Sequence, residues 1–91
     1  MKALPNNVLA YKKTPTFDES TVPKGLLKAH QTKVGVWGKI VVLAGNLQYT
    51  INEPATEVVM LDEQNHGVVE PTILHQVKAI GDVQFYVEFY Q

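Results

Sequence analysis

Short apolar segments separated by turn residues constrain this chain more than any other feature of its sequence. Segments typical of β-strands recur roughly every 8–12 residues. No stretch repeats its apolar residues with the 3.6-residue period of an amphipathic helix. The spacing therefore predicts an all-β domain, a small antiparallel β-sandwich or barrel of the jelly-roll type.

The strongest predicted strand covers residues 37–44, which are largely β-branched or apolar. Gly45 and Asn46 both tolerate a positive φ, so we expect a hairpin turn there and a returning strand at residues 47–51. Gly81 and Asp82 predict a second turn. The remaining predictions are strands at residues 8–11, 57–61, 68–70, 74–80 and 83–90, a loop at 12–23, and at most one helical turn within 20–30, because Pro23 and Gly25 oppose a longer helix.

A chain of 91 residues fits one domain, residues 1–91, in which residues 1–7 form an N-terminal arm. The chain has no cysteine, so a metal site must use histidine, carboxylate, amide or water. The longest apolar run is residues 40–44, far short of the roughly 20 residues of a membrane-spanning helix. We therefore expect a soluble, cytoplasmic protein with no membrane partner.

The charged residues of the chain argue against nucleic acids and nucleotide phosphates as partners. The 8 basic side chains are all lysine, the acidic ones number 9, and no basic stripe is visible. A nucleic-acid partner is therefore not expected, because such proteins neutralise several phosphates with clustered cations. The lack of arginine also opposes a nucleotide-phosphate pocket. The chain carries no catalytic-triad, P-loop or dinucleotide-binding motif.

Two histidines lie at the edges of predicted strands, each near a glycine or proline turn. In a small all-β domain, His30 and His75 can meet at one mouth of a barrel. His75 shares its predicted strand face with Val77 and Ala79, so we expect it to point inward. The alternatives are a surface histidine at position 30 and a buried His75 bonded to a backbone carbonyl.

Several segments together resemble a known family. They are His30-x-Thr-Lys-Val-Gly-x-Trp-Gly-Lys, the Gly45-Asn-Leu turn, Val69-Glu-Pro-x-x-x-His75-x-Val-x-Ala79 and the final Phe89-Tyr90. This pattern is similar to the N-terminal domain of tellurite-resistance protein B, which also occurs alone in small proteins of the YeaR type. The resemblance covers roughly residues 11–90.

The resemblance implies a small cupin-like β-barrel, often dimeric, with a divalent transition metal at its mouth. On this basis we expect His30, His75 and Glu70 as metal ligands and zinc as the metal. The paired histidines and glutamate of the first cupin motif are absent, since no carboxylate lies between His30 and Gly45. In longer relatives a methyltransferase domain follows; the chain is either a piece of such a protein or a standalone relative.

Other residues are candidates for lesser roles. Trp37 and Lys33 are expected to line the ligand pocket, where Lys33 and Lys39 would attract an oxyanion. His66 lies in a polar loop and Glu88 on the polar face of the last strand, so neither is a preferred ligand. Tyr86 and Tyr90 share that outward face, which predicts burial against a partner or the N-terminal arm and favours a homodimer.

The sequence thus predicts a small metal-binding cupin domain of the tellurite-resistance type. It would bind a small molecule or oxyanion and contribute to stress or tellurite resistance. The alternatives are a metal-dependent cupin enzyme, which needs further ligands, and a structural or regulatory barrel without metal.

Overall fold

The computed structural model describes residues 1–91 as one antiparallel sheet that curls around an apolar core. Its elements are strands β1 (Ala10–Lys13), β2 (Phe17–Asp18), β3 (Trp37–Ile51), β4 (Glu57–Leu61), β5 (Gly67–Val69) and β6 (His75–Tyr90), with a 3₁₀ turn at Lys24–Leu27. The strand order is β1-β6-β3-β4, while β2 also pairs with β6 and β5 with β3. This architecture confirms the predicted all-β, antiparallel class and contains no helix able to cross a membrane.

The two predicted hairpin turns were wrong. Strand β3 continues through Gly45 and Asn46, and β6 continues through Gly81 and Asp82. Gly45 and Gly81 do have positive φ angles, 79° and 70°, as turn glycines would. The ladder between the strands shifts its register beside them, between Val42 and Ala44 and again between Gly45 and Asn46. The glycines therefore bend two paired strands with β-bulges rather than reversing the chain.

This bend turns both halves of β6 toward one interior. Val77, before the bend, and Phe85 and Val87, after it, are all buried in the same core. The core as a whole contains Ile40, Val42, Leu47, Tyr49, Leu61, Val69, Val77, Val83, Phe85 and Val87. The alternation predicted on either side of Gly81 is correct, because each half keeps every second side chain inside.

The smaller boundaries follow the predictions to within a few residues. Strand β4 matches its predicted range, whereas β1 begins two residues later and β5 one residue earlier than predicted. The expected loop at residues 12–23 contains the end of β1 and the whole of β2. Its turn is held by Asp18, whose carboxylate accepts hydrogen bonds from the backbone N–H groups of Ser20 and Thr21. The hydrogen bond from the Ser20 hydroxyl and these backbone bonds lower the pKa of Asp18.

The segment after the 3₁₀ turn closes the structure over β6. His30 and His75 form an isolated antiparallel bridge in which each backbone N–H donates to the other's carbonyl oxygen, at 2.9 and 2.8 Å. Two residues further on, the carbonyl oxygen of Thr32 accepts a hydrogen bond from the N–H of Thr72 at 3.2 Å. The chain between β2 and β3 is therefore anchored to the start of β6.

Replacing Gly45 by alanine should destabilise the domain by about 3 kcal/mol or more, because the new Cβ would lie 2.1 Å from the carbonyl oxygen of Asp82. Gly81→Ala is the matched control: its φ is also positive, but no atom lies within 4 Å of its added Cβ. We expect the control to cost about 1–2 kcal/mol. Urea denaturation of both variants measures the difference, and equal losses would contradict the close-approach account.

Candidate functional site

A cavity of about 500 Å³ lies inside the curled sheet. Both halves of β6 line it, together with β3, β5 and the segment that follows the 3₁₀ turn. Its apolar side chains are Phe17, Leu26, Val36, Ile40, Val69, Val77, Phe85, Val87 and Phe89. This size and lining are typical of a site for a small organic molecule.

Two imidazoles form a polar spot on this apolar wall. The ring centroids of His30 and His75 lie 4.1 Å apart, and the ring planes make an angle of 55°. Both residues line the cavity. The sequence prediction that these histidines, 45 positions apart, meet in space agrees with this geometry.

Backbone carbonyls orient both rings. The Nδ1 atom of His75 lies 2.9 Å from the carbonyl oxygen of Ile73, and the Nδ1 atom of His30 lies 3.0 Å from that of Lys28. Because a carbonyl oxygen can only accept, each Nδ1 must carry the proton. In its neutral form each ring then has a lone pair on Nε2, and neither Nε2 has a hydrogen-bond partner within the protein.

Burial keeps the His75 ring neutral. Its side chain is only 4% exposed, and desolvation lowers the pKa of His75 to about 4, with a smaller contribution from the nearby His30. The hydrogen bond to Ile73 opposes the shift. The Tyr49 ring packs edge-on against His75 with centroids 5.9 Å apart, and its hydroxyl donates to the carbonyl oxygen of Val68 at 2.9 Å. Burial raises the pKa of Tyr49, so this neighbour is also neutral at pH 7.

The other predicted site residues divide into two groups. Lys33 lines the same cavity as the histidines, whereas Trp37 and Glu70 do not. Alternation along the strands explains both differences: Gly38 and Val69 face the cavity, so their chain neighbours Trp37 and Glu70 face away from it.

Glu70 has a different environment. Its carboxylate lies 2.8 Å from the Lys2 ammonium and borders a second cavity, of about 320 Å³, together with Glu53 and Glu57. Met1 and Lys2 also line that second cavity, so part of the predicted N-terminal arm packs beside β4 and β5. Glu70 is therefore not placed to complete a metal site with the two histidines.

The protein supplies only part of the ligand set that a metal ion needs at this site. No group of three histidine, aspartate or glutamate side chains in the molecule is arranged to hold an ion. The two Nε2 atoms nevertheless fit the chemistry of imidazole ligation, because metal-binding histidines usually donate their other ring N–H to a carbonyl or carboxylate. A metal held here would take its remaining ligands from water or from a bound anion.

Sequence reasoning missed the contribution of the first strands. Lys12, Thr14 and Phe17 all line the cavity, although the sequence predicts a loop at residues 12–23. Proline and small polar residues are typical of loops, so their presence in residues 12–23 gave no indication of the short strands there. Tyr86 is half-buried, and the Lys13 ammonium of β1 lies 4.9 Å from its ring centroid, so β1 supplies some of the cover predicted for this face.

Known proteins share both this sequence and this fold. Residues 12–87 match the TehB-like domain family, which confirms the resemblance to the tellurite-resistance protein. The probable S-adenosyl-L-methionine-dependent methyltransferase TehB of Haemophilus influenzae Rd is 35% identical over 81 residues, covering 85% of this chain and 28% of the relative. The uncharacterized protein YeaR of Escherichia coli K12 is 25% identical over 99 residues, covering 99% of this chain and 83% of the relative. The chain thus spans less than a third of the TehB relative.

Solved structures agree with these matches. The crystal structure of TehB from Haemophilus influenzae superposes with a TM-score of 0.85 at 31% identity, covering 93% of this chain and 32% of that one. A cupin-2 domain protein from Shewanella frigidimarina superposes with a TM-score of 0.55 at 12% identity, covering 94% of this chain and 72% of that one. The second likeness concerns the fold alone and supports its cupin-like character.

The stability of the domain should fall as the pH drops from about 6.5 toward 4. The pKa of His75 is lower in the folded state than its ordinary value of 6.5, so in this range the unfolded chain binds the extra proton. The loss attributable to His75 should reach about 3 kcal/mol. Urea denaturation at pH 7, 5.5 and 4 checks this, and His75→Asn should remove that part of the pH dependence. An unchanged pH dependence in the variant would assign the effect to other groups.

Proposed function

The chain belongs to the TehB-like family, and on that premise we propose that it binds a small molecule in the 500 Å³ cavity. His30 and His75 supply the polar contact, through lone pairs that no protein group uses. Their free Nε2 atoms beside the apolar side chains of the cavity are the observation that carries the proposal. By family relationship, this binding would serve tellurite or stress resistance.

The cavity favours ligand binding over a purely structural role. Small barrels without a ligand are commonly filled by their own side chains. Here the interior leaves about 500 Å³ open, many times the roughly 30 Å³ that one water occupies in the liquid. Unpartnered acceptors beside apolar side chains are unfavourable in such a space unless a ligand or water donates to them.

A divalent metal held by the two histidines is the second candidate, with zinc first among the metals. The carbonyl bonds to both Nδ1 atoms favour it, since they fix each ring with Nε2 available for a metal. A metal with only two protein ligands keeps positions open for an oxyanion. Glu70, predicted as a third ligand, is instead paired with Lys2, so we leave it out of the proposed site.

Homodimer formation is also a proposal. Strand β4 ends the sheet, and Val58 and Met60 on it are exposed. An edge strand with exposed apolar side chains suits pairing with a second copy. Because Lys13 of β1 covers the ring of Tyr86, this outward tyrosine needs no second copy to bury it.

Binding in the cavity can be tested with phenol, a probe that combines an apolar ring with one hydroxyl donor. In a ¹H–¹⁵N NMR titration we expect saturable shifts centred on the amides of Val77, Phe85 and Val87. A His30→Asn/His75→Asn variant should bind about tenfold more weakly, because asparagine keeps the donor to each carbonyl but lacks Nε2. His66→Asn is the matched control, since His66 does not line the cavity.

A second pair of variants tests whether the shifts arise inside the cavity, provided that the ¹H–¹⁵N spectrum of each variant shows a folded domain. Val87→Trp fills the cavity and should abolish the shifts, whereas Val58→Trp, at an exposed position of β4, should leave them unchanged. Phenol shifts that do not saturate, or that map to the outer face, would overturn the proposed binding site.

Metal content is a separate measurement. Tag-free protein should carry about one zinc per chain by elemental analysis if the second candidate is right, and the double asparagine variant should lose it while His66→Asn keeps it. Absence of metal from the unmodified protein, even after incubation with zinc, would reject the metal and leave direct ligand binding.

A further inference from the structure

The charged side chains around the cavity are all of one sign. None of the nine acidic residues of the chain lines it, whereas Lys12 and Lys33 do. His75 adds no charge at neutral pH, because its ring is buried and neutral. A cavity with cationic groups and no carboxylate attracts anions and repels amines.

Two of the other polar side chains that line the cavity already have hydrogen-bond partners within the protein. The Thr14 hydroxyl donates to the carbonyl oxygen of Pro15 at 2.9 Å and accepts from the N–H of Val87 at 3.0 Å. The Thr32 hydroxyl donates to the carbonyl oxygen of Val36 at 2.7 Å. The lysine ammoniums and the two Nε2 acceptors therefore remain for a polar ligand, together with the Gln31 amide and the Tyr11 hydroxyl, and the lysines are the charged groups among them.

The imidazole pair and Lys12 lie at different parts of the cavity wall. His75 is the first residue of β6, whereas Lys12 pairs with Phe89 near the C-terminal end of β6. The Lys12 ammonium lies 5.9 Å from the centroid of the Phe89 ring. Between them the wall is apolar and partly aromatic: the rings of Phe17 and Phe85 pack edge to face with centroids 5.7 Å apart. A ligand that interacts with all three regions has a hydrogen-bond donor for the imidazoles, an apolar body for the wall and an anionic group for the lysine.

We propose, building on the ligand-binding function above, that the cavity takes a small organic acid with an apolar or aromatic body. Its hydroxyl or N–H donates to the imidazole pair, and its anionic group faces Lys12 and Lys33. A bare inorganic oxyanion would leave the apolar lining unused, and an amine would meet no countercharge. The inference thus narrows the ligand class from any small molecule to an acid carrying a separate donor.

Four aromatic probes separate these features in protein dialysed against a chelator, so that no metal contributes to anion affinity. They are 4-hydroxybenzoate (donor and anion), phenol (donor alone), benzoate (anion alone) and tyramine (donor and cation). By NMR titration or calorimetry we expect 4-hydroxybenzoate to bind at least about tenfold more tightly than phenol or benzoate, and tyramine to bind more weakly than phenol.

The variants assign each end of the ligand. Lys12→Gln/Lys33→Gln should reduce the affinity for 4-hydroxybenzoate toward that for phenol and leave phenol binding unchanged. Lys39→Gln is the matched control, because Lys39 neighbours Gly38 on β3 without lining the cavity. His30→Asn/His75→Asn should reduce the affinity for 4-hydroxybenzoate toward that for benzoate.

The outcomes distinguish this inference from the function on which it rests. Equal affinities for phenol and 4-hydroxybenzoate, or tighter binding of tyramine, would overturn the organic-acid class while cavity binding stands. The same conclusion follows if the lysine variants bind 4-hydroxybenzoate as the unmodified protein does. Failure of all four probes to bind would overturn both proposals.

Discussion

The bend shared by β3 and β6 is the constraint on which the rest of the structure depends. Gly45 allows the backbone of one strand to approach Asp82 of the other so closely that any Cβ would collide with it. With the strands bent there, side chains from both halves of β6 meet in one interior. A straight pair of the same strands would form a flat ribbon, so these bulges allow the sheet to curl around the cavity.

The same bend determines the chemistry of the cavity wall. It places His75 in the interior, where the bridge to His30 brings the second imidazole within 4.1 Å. Two carbonyl oxygens then hold both Nδ1 protons and leave both Nε2 lone pairs unused. Burial keeps His75 uncharged, so this polar spot acts as a hydrogen-bond acceptor or metal ligand rather than as a cation.

Local patterns in the sequence predicted the strand class and the inward face of the last strand. The inward face of His75 and Val77 follows from period-two spacing. The all-β class and the range of β4 follow from short apolar segments separated by turn residues. The pattern could not tell a hairpin from a bulge at Gly45 and Gly81, because both need a glycine with positive φ. Trp37 is a predicted site residue because it begins the strongest strand, and Glu70 because it is the carboxylate beside Pro71. Their chain neighbours Gly38 and Val69 face the cavity instead. The role of Lys12 depends on pairing between β1 and β6, a contact of long sequence separation that no local pattern encodes.

Nitrogen NMR of the imidazole rings tests most directly the claim that the two Nε2 atoms are free acceptors that receive a ligand. At pH 7, long-range ¹H–¹⁵N correlations should show both His30 and His75 with the proton on Nδ1, and the Nε2 resonances should shift when 4-hydroxybenzoate is added. A His75 ring that is protonated on Nε2 at pH 7, or Nε2 resonances that do not respond to any bound probe, would contradict the account.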